Sequence, residues 1–321
     1  MSCFQQTPGL LIAFCILHLH LYMTIQEAQQ RLLFQLYDVY DNREAMNIAD
    51  MVMERITGWT KIDRILNKQL PLLPGNIKLL EKYTVDLLAH KPVQYVLNEA
   101  WFYGLKFFVN EHVLIPRPET EELVEWIQKT ITQENLVNNA KSLNQPPVAK
   151  NNLSILDIGT GSGCIPISLK KKFSDIQVYA CDVSKSGLVV AQENAETHHT
   201  EISFLQINFL DPSQWTVLPE MDIIISNPPY IPLKDKDTMR QNILQYEPHI
   251  ALFVDDNDPL LFYRTIADFA KGKMKPGGNI FVEINENLAK DVEELFFTKG
   301  YRKIELKKDM HGKDRMVRVK L

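Results

Sequence analysis

The chain has few cysteines, no excess of basic residues and no apolar run long enough to cross a membrane. Its four cysteines, Cys3, Cys15, Cys164 and Cys181, form no Cys-x-x-Cys pair and no zinc-ligand spacing. We therefore expect reduced thiols that pack as small hydrophobic groups, which is typical of cytosolic proteins. The eight histidines are scattered along the chain, so we predict no metal site.

Basic residues are outnumbered by acidic ones. There are 35 Lys and Arg against 40 Asp and Glu, which gives a net charge of −5 at pH 7. Proteins that hold nucleic acid through its phosphates are usually basic, so we expect no stable nucleic-acid partner. Between residues 23 and 115 the chain carries 10 basic and 11 acidic side chains, so this part has no basic bias either.

The most apolar stretch covers residues 9–22, which is 14 residues. A membrane-spanning helix needs about 20, so we predict no membrane partner. Residues 1–22 contain no Lys or Arg, which argues against a signal peptide, although a cryptic one is the alternative. Met23 is then followed by Thr24, a good N-cap for a helix. We predict that residues 1–22 lie outside the fold, that translation starts at Met23, and that the protein is cytoplasmic.

Three kinds of pattern precede residue 153. Apolar residues recur at helical spacing over residues 23–97, which predicts a small helical bundle. Residues 98–131 predict a linking β-hairpin and a helix. Residues 132–152 are rich in Asn, Gln and Ser, which predicts a flexible loop. The short strands predicted in the linking part are Trp101–Tyr103, Leu105–Val109 and Val113–Ile115.

From residue 153 to residue 321, predicted strands and helices alternate, which indicates a parallel sheet covered by helices. Near the end, Arg302–Lys307 and Arg315–Lys320 flank a turn, so they predict an antiparallel hairpin. The expected fold class is α/β. It is a Rossmann-like sheet with an antiparallel C-terminal hairpin, a small N-terminal helical bundle and a linking β-hairpin.

A glycine-rich turn, Asp157-Ile158-Gly159-Thr160-Gly161-Ser162-Gly163, follows the first strand of this part. Such a turn lets the backbone approach a nucleotide, but nicotinamide and flavin enzymes use similar turns, so the spacing alone leaves the cofactor open. Asp182 ends the next strand, where it can accept hydrogen bonds from both ribose hydroxyls. We expect a solvated role for Asp157 near an amino acid's ammonium group; simple strand-end capping is the alternative for both aspartates. Phe209 suits either an adenine face or the core.

A second loop, Asn227-Pro228-Pro229-Tyr230, follows the apolar run Met221–Ile225. Each proline lacks an N–H, so the loop is rich in acceptors and poor in donors. The Asn227 side-chain oxygen and the Pro228 carbonyl can accept both hydrogens of a substrate –NH2, while Tyr230 covers the flat group that they hold. This loop suits an amide or an exocyclic amine. A stiff turn with no chemical role is the alternative.

Two further segments, Ile115-Pro-Arg-Pro-Glu-Thr-Glu121 and Tyr246-Glu-Pro-His-Ile-Ala-Leu252, occur in order with these loops. Together the four motifs and the N-terminal bundle resemble the release factor glutamine methyltransferases, the HemK/PrmC family. The resemblance covers about residues 24–321. It implies a class I methyltransferase sheet and a catalytic domain at residues 153–321. It also implies that residues 23–97 recognise the substrate.

The resemblance also implies a reaction. S-adenosyl-L-methionine would methylate the side-chain nitrogen of the glutamine in the Gly-Gly-Gln motif of class-1 peptide chain release factors, by a monomeric enzyme. The cofactor would be held by Gly159, Thr160, Gly161, Ser162, Gly163, Asp182, Phe209 and Asn227. Asn227, Pro228 and Tyr230 would be catalytic, and these three with Pro229 would bind the glutamine amide. Asn208 departs from the pattern, because relatives often carry Asp there.

Three alternatives remain open on the residues alone. One is a glutamine methyltransferase of a ribosomal protein, and the second is an amino-methyltransferase of DNA or RNA, which would need a flipped base. The third is a cofactor-binding regulator without activity. The intact Asn227–Tyr230 loop disfavours the regulator, and the acidic net charge disfavours the nucleic-acid enzyme.

Overall fold

The structure, a computed structural model, describes residues 23–140 and 153–321. The predictions for residues 1–22 and for residues 141–152 lie outside the described residues. The chain divides into two compact units, the first ending at Leu97 and the second beginning at Asn98. Each unit is described by itself.

Five helices lie between Met23 and Leu97, and all but the third contribute residues to one apolar core. They are α1 (Ile25–Leu36), α2 (Asn42–Thr57), α3 (Lys61–Leu66), α4 (Pro74–Leu88) and α5 (Val93–Leu97). Helix α1 begins with a capping box, in which the Thr24 hydroxyl accepts from the Glu27 N–H and the Glu27 carboxylate accepts from the Thr24 N–H. This box satisfies two backbone donors that the start of a helix otherwise leaves free. Thr24 is confirmed as the N-cap.

From Asn98 onward, helices and strands alternate. The helices are α6 (Pro118–Ala140), α7 (Cys164–Lys172), α8 (Lys185–Thr197), α9 (Gln241–Tyr246), α10 (His249–Leu252), α11 (Leu261–Lys273) and α12 (Ala289–Thr298). The strands are β1 (Ala100–Phe102), β2 (Leu105–Phe107), β3 (Ser154–Ile158), β4 (Gln177–Asp182), β5 (Ser203–Gln206), β6 (Met221–Ser226), β7 (Ile231–Pro232), β8 (Phe253–Val254), β9 (Met274–Glu283), β10 (Lys303–Lys308) and β11 (Asp314–Lys320). Short 3-10 helices cover Pro212–Val217, Leu233–Thr238 and Glu286–Leu288.

Seven of these strands form one sheet in the order β10-β11-β9-β6-β3-β4-β5, in which β11 runs opposite to the others. From β3 the chain places β4 and β5 on one side and then β6 and β9 on the other. The strand order therefore reverses between β3 and β6. In such sheets, ligands bind outside the carboxyl ends of the strands at the point of reversal. The predicted Rossmann-like sheet with an antiparallel C-terminal hairpin is confirmed.

The central strands are covered on both faces. In β6, Ile223 and Ile225 pack in the core that includes α6 and α7, whereas Ile224 packs in the core that includes α11 and α12. All three side chains are buried. A parallel strand between two helical layers needs apolar residues at consecutive positions, which explains the run before Asn227.

The loop predicted for residues 132–152 is wrong for residues 132–140, which continue α6 to Ala140. Contacts with a distant strand hold this part of the helix. The Glu134 carboxylate accepts hydrogen bonds from Lys320 at 2.7 Å and from Arg318 at 3.3 Å, both on β11. The local composition favours a loop because it is rich in Asn and Gln. It contains no information about Arg318 and Lys320, which lie far along the chain.

The strand predicted for Val113–Ile115 is also wrong. This segment belongs to no strand of the structure, although Val113 and Ile115 are buried. Alternating apolar residues can pack into a core without a neighbouring strand, so the pattern alone does not establish pairing.

Two observations hold for residues 23–140 and 153–321. No helix there is both long enough and apolar enough to span a membrane. No three His, Cys, Asp or Glu side chains there lie close enough together to hold a metal ion. Cys164 and Cys181 are free and buried.

Candidate active site

Strands β3 and β6 bring the two predicted loops to one edge of the sheet. Ile158 is paired in register with Ser226, and the Ser226 hydroxyl donates to the Ile158 carbonyl at 2.9 Å. The glycine-rich turn begins directly after Ile158, and the Asn227–Tyr230 loop begins directly after Ser226. Two segments that are far apart in sequence therefore start side by side.

The glycine-rich turn is held by Asp182 at the end of β4. One carboxylate oxygen of Asp182 accepts from the Gly161 N–H at 2.9 Å, and the other accepts from the Ser184 N–H at 2.8 Å. Gly161 adopts a left-handed φ of +51°, which favours glycine. Burial raises the pKa of the Asp182 carboxyl, and its backbone hydrogen bonds oppose that rise. Asp182 thus shapes the loop and still has oxygen lone pairs for a ligand.

Both packing and backbone shape favour glycine at position 163. Its φ is +78°, and a Cβ at this position would lie 3.1 Å from Ile167 and 3.3 Å from Ala191. A side chain at position 163 would therefore force Ile167 or Ala191 to shift by a few tenths of an ångström, besides straining the backbone.

A cavity of about 310 Å³ lies at this edge of the sheet. Among the predicted cofactor residues, five line it: Gly159, Gly161, Asp182, Phe209 and Asn227. Pro228 and Pro229 also line it. Thr160, Ser162 and Gly163 are not in its lining. The cavity volume is within the range of small-molecule sites.

Asp157 lies beneath the glycine-rich turn and is fully buried, so the solvated role expected for it is wrong. Neither of its carboxylate oxygens has a hydrogen-bond partner among the described residues. The nearby Thr160 hydroxyl also has none. Burial raises the pKa of Asp157 to about 7, and the charge of Asp182 raises it further. Unpaired buried polar groups of this kind are rare and mark places where a ligand group is missing or strain is stored.

Phe209 packs in the core, and its contact with an adenine stays a prediction. It is buried, and its ring lies 5.6 Å from the Trp215 ring and 5.1 Å from the Phe269 ring between centroids. It also lines the larger cavity. Next to it, the Asn208 side-chain oxygen accepts from the Leu210 N–H at 3.2 Å.

A second cavity of about 190 Å³ shares part of its lining with the first. The shared residues are Leu114, Asn227, Pro228 and Ala251. Tyr230 lines only the smaller cavity, whereas Pro229 lines only the larger one. Asn227 and Pro228 therefore stand where the two cavities adjoin.

A chain of hydrogen bonds runs behind the Asn227–Tyr230 loop. The Asn227 Nδ2 donates to the Thr120 hydroxyl at 3.0 Å, and this hydroxyl donates to the Glu283 carboxylate at 2.7 Å. The Tyr230 hydroxyl donates to the other Glu283 oxygen at 3.0 Å. Glu283 ends β9 and is buried, which raises the pKa of its carboxyl. Burial of the Tyr230 hydroxyl and the charge of Glu283 raise the pKa of this hydroxyl, so the hydroxyl remains a donor at neutral pH.

An ion pair joins the other two motifs. The Arg117 guanidinium lies 2.6 Å from the Glu247 carboxylate, whose second oxygen accepts from the Ile115 N–H at 3.4 Å. Glu247 is buried, so this pair fixes the segment that follows Ile115 against the segment that begins at Tyr246.

Sequence reasoning missed three polar residues of the site: Thr120, Glu247 and Glu283. Thr120 lies in the Ile115–Glu121 motif and Glu247 in the Tyr246–Leu252 motif, but the spacing of these residues alone predicts no role for either. Glu283 had a weak signal, since it is a charged residue at the end of an apolar strand pattern. An ionisable residue in that position is unusual unless it is paired.

The fold and this site define a Rossmann-like methyltransferase. The family model called methyltransferase small domain matches residues 139–249. The hMettl16 catalytic domain, solved with a MAT2A 3'UTR hairpin, has the same fold with a TM-score of 0.50 at 14% sequence identity, over 77% of this chain and 81% of that one.

Relatives in sequence narrow the family. A release factor glutamine methyltransferase of Flavobacterium psychrophilum is 43% identical over 92% of this chain and 99% of its own length. One of Bacteroides thetaiotaomicron is 37% identical over 88% of this chain and 95% of its own length. The chain belongs to the release factor glutamine methyltransferase family, whose methyl donor is S-adenosyl-L-methionine.

Asp157 generates a prediction about stability and pH. Its folded pKa of about 7 lies above the ordinary value of 3.8, so folding favours the neutral form. Stability from this group is complete below pH 3.8 and is lost as pH rises toward 7. Asp157→Asn cannot ionise, so its stability advantage over the wild type should grow by about 3 kcal/mol from pH 5 to pH 8. Denaturant unfolding of the cofactor-free protein at both pH values measures this. An equal difference at both would contradict it.

Proposed function

We propose that this protein transfers a methyl group from S-adenosyl-L-methionine to the side-chain nitrogen of the glutamine in the Gly-Gly-Gln motif of class-1 peptide chain release factors. The observation that carries the proposal is the place of Asn227 and Pro228 between a nucleotide-sized cavity and a smaller one. The names of the relatives support the same substrate.

The residues around the larger cavity fit the proposed cofactor. Asp157 and Thr160 hold buried polar atoms that lack partners among the described residues, next to a turn whose glycines expose backbone. A carboxylate there suits the ammonium group of the methionine part. Asp182 would hold the ribose and Phe209 would contact the adenine, while Gly159 and Gly161 leave room for the chain between them. When bound, the cofactor supplies a methyl group activated by a sulfonium.

The smaller cavity would hold the glutamine side chain. Since the Asn227 Nδ2 donates to Thr120, the Asn227 Oδ1 is the atom that can accept from the substrate –NH2. The Pro228 carbonyl would accept the other hydrogen, and Tyr230 lines the wall on that side. Pro229, which lines the larger cavity, would support the loop from the cofactor side.

An amide nitrogen is a weak nucleophile because its lone pair is delocalised into the carbonyl. Two fixed acceptors orient this nitrogen and favour the positive charge that develops on it as the new N–C bond forms. No strong base is required, since the N-methylated amide readily loses a proton afterwards. Alignment and preorganised electrostatics are therefore the contribution of Asn227 and Pro228.

The remaining expectations about partners belong to the same proposal. Residues 23–97 would recognise the folded release factor, since their charge is balanced and they form a unit of their own. We propose a cytoplasmic monomer with no stable nucleic-acid or membrane partner. That the protein uses no metal ion stays a prediction.

One experiment tests the function as a whole. Tritiated methyl transfer is measured in parallel on purified release factor, on ribosomal proteins and on DNA and RNA. We expect label in the release factor, and loss of that label when its Gly-Gly-Gln glutamine is replaced. Label only in ribosomal proteins or only in nucleic acid would overturn the substrate and favour one of the alternatives.

Asn227→Ala tests the mechanism. The substitution removes a preorganised acceptor that acts mainly in the transition state, so kcat should fall by about 10²–10³. Cofactor affinity, measured by calorimetry, should change far less. Asn208→Ala is the matched control, because it removes the same amide from the larger cavity but not from the smaller one. It should alter the KM for the cofactor with little effect on kcat. A near-normal kcat for Asn227→Ala would leave the loop as a stiff turn only.

Removal of the first 97 residues tests the recognition role. The remaining unit contains both cavities, so cofactor binding should persist. Methylation of whole release factor should be lost, while a short Gly-Gly-Gln peptide at high concentration should still be labelled. Undiminished turnover of the whole factor by the shortened enzyme would refute this role. Loss of peptide labelling as well would show that the shortened chain is damaged.

A further inference from the structure

Glu283 and Thr120 lie behind the site and line neither of its two cavities. Glu283 is 1% exposed and Thr120 is 3% exposed. The polar group of each is hydrogen-bonded toward the Asn227–Tyr230 loop. Buried polar groups that satisfy one another in this way restrict one another's orientation. Their influence on a ligand would therefore pass through Asn227 and Tyr230.

The order of donors and acceptors in this chain determines which way the Asn227 amide points. Thr120, Tyr230 and the charge of Arg315 oppose the rise that burial causes in the pKa of Glu283. With Glu283 ionised, its carboxylate accepts hydrogen bonds only, so the Thr120 hydroxyl donates its single proton to Glu283. Toward Asn227 the hydroxyl can then only accept. The group of Asn227 that faces Thr120 must therefore be its –NH2, and its Oδ1 faces away from Thr120.

The opposite orientation would place a donor where the substrate needs an acceptor. An asparagine amide has nearly the same shape after a 180° rotation, so shape alone does not exclude this state. With the amide reversed, the Asn227 –NH2 would face the –NH2 of the substrate glutamine in the smaller cavity. We propose that Thr120 and Glu283 are positioning residues, which set the orientation of the Asn227 amide and so make it an acceptor for the substrate.

This inference rests on the proposed function for its effect on rate. Thr120→Val keeps the shape of the side chain and removes the acceptor for the Asn227 –NH2. The kcat should fall by about 10- to 100-fold, as for a misplaced catalytic group, with the cofactor KM unchanged. Thr120→Ser retains the hydroxyl and should restore most of the rate. Thr130→Val is the matched control, because Thr130 lies on the same helix and is also buried. It should leave kcat unchanged.

A double-mutant cycle separates positioning from a general structural effect. If Thr120 acts through Asn227, Thr120→Val should cost no further rate in a protein that already carries Asn227→Ala. Multiplying losses would show that Thr120 has another role and would overturn the inference. Glu283→Gln should lower kcat as Thr120→Val does. The –NH2 of the new glutamine can donate to the Thr120 hydroxyl, which is then free to donate to Asn227 and to reverse its amide. A Glu283→Gln enzyme with normal kcat would also overturn it.

A measurement that needs no substrate keeps this test apart from the proposed function. In NMR spectra, the side-chain –NH2 signals of Asn227 can be assigned by their loss in Asn227→Asp. In the wild type these protons should exchange slowly with solvent, and in Thr120→Val they should exchange at least 10-fold faster. Unchanged exchange in Thr120→Val would overturn the inference. Faster exchange in Thr120→Val, with no glutamine labelled by the wild type, would support the positioning role and refute the substrate.

Discussion

The site depends on the pairing of β3 with β6, the two strands between which the sheet order reverses. The register places Ile158 opposite Ser226, and the Ser226 hydroxyl closes the pair on the Ile158 carbonyl. A slip of one residue would turn every side chain of β6 to the other face and would separate the two loops. The apolar cores on both faces of the sheet oppose such a slip, because Ile223 and Ile224 would exchange environments.

Burial has opposite consequences for the carboxyl groups of Glu283 and Asp157. Glu283 receives two hydrogen bonds and holds the loop that lines the smaller cavity. Asp157 receives none from the described residues, although both groups are almost completely buried. The first arrangement stabilises a fixed geometry before any ligand arrives. The second costs stability until a positive group lies beside it, so part of the free energy of ligand binding would be relief of that cost.

Much of this architecture follows from local sequence. The alternation of strand and helix patterns, the cap at Thr24 and the glycine-rich turn each depend on residues within a few positions of one another. Both loops of the site could be located for the same reason. Their partners could not: Thr120 and Glu283 are 163 positions apart, and Arg117 and Glu247 are 130 apart. Such pairs are selected by the order of strands in the sheet, which periodicity does not contain.

The errors have the same origin. Residues 132–140 were expected to form a loop because Asn and Gln are common there, yet Glu134 is tied to β11 by two cations. The position of Asp157 directly before the glycine-rich turn favours a solvated role, yet its side chain is fully buried. In both cases long-range packing overrides local preference. The same holds for the residues that orient Asn227. Thr120 lies on α6 and Glu283 on β9, and the sequence of neither segment indicates that the two side chains meet.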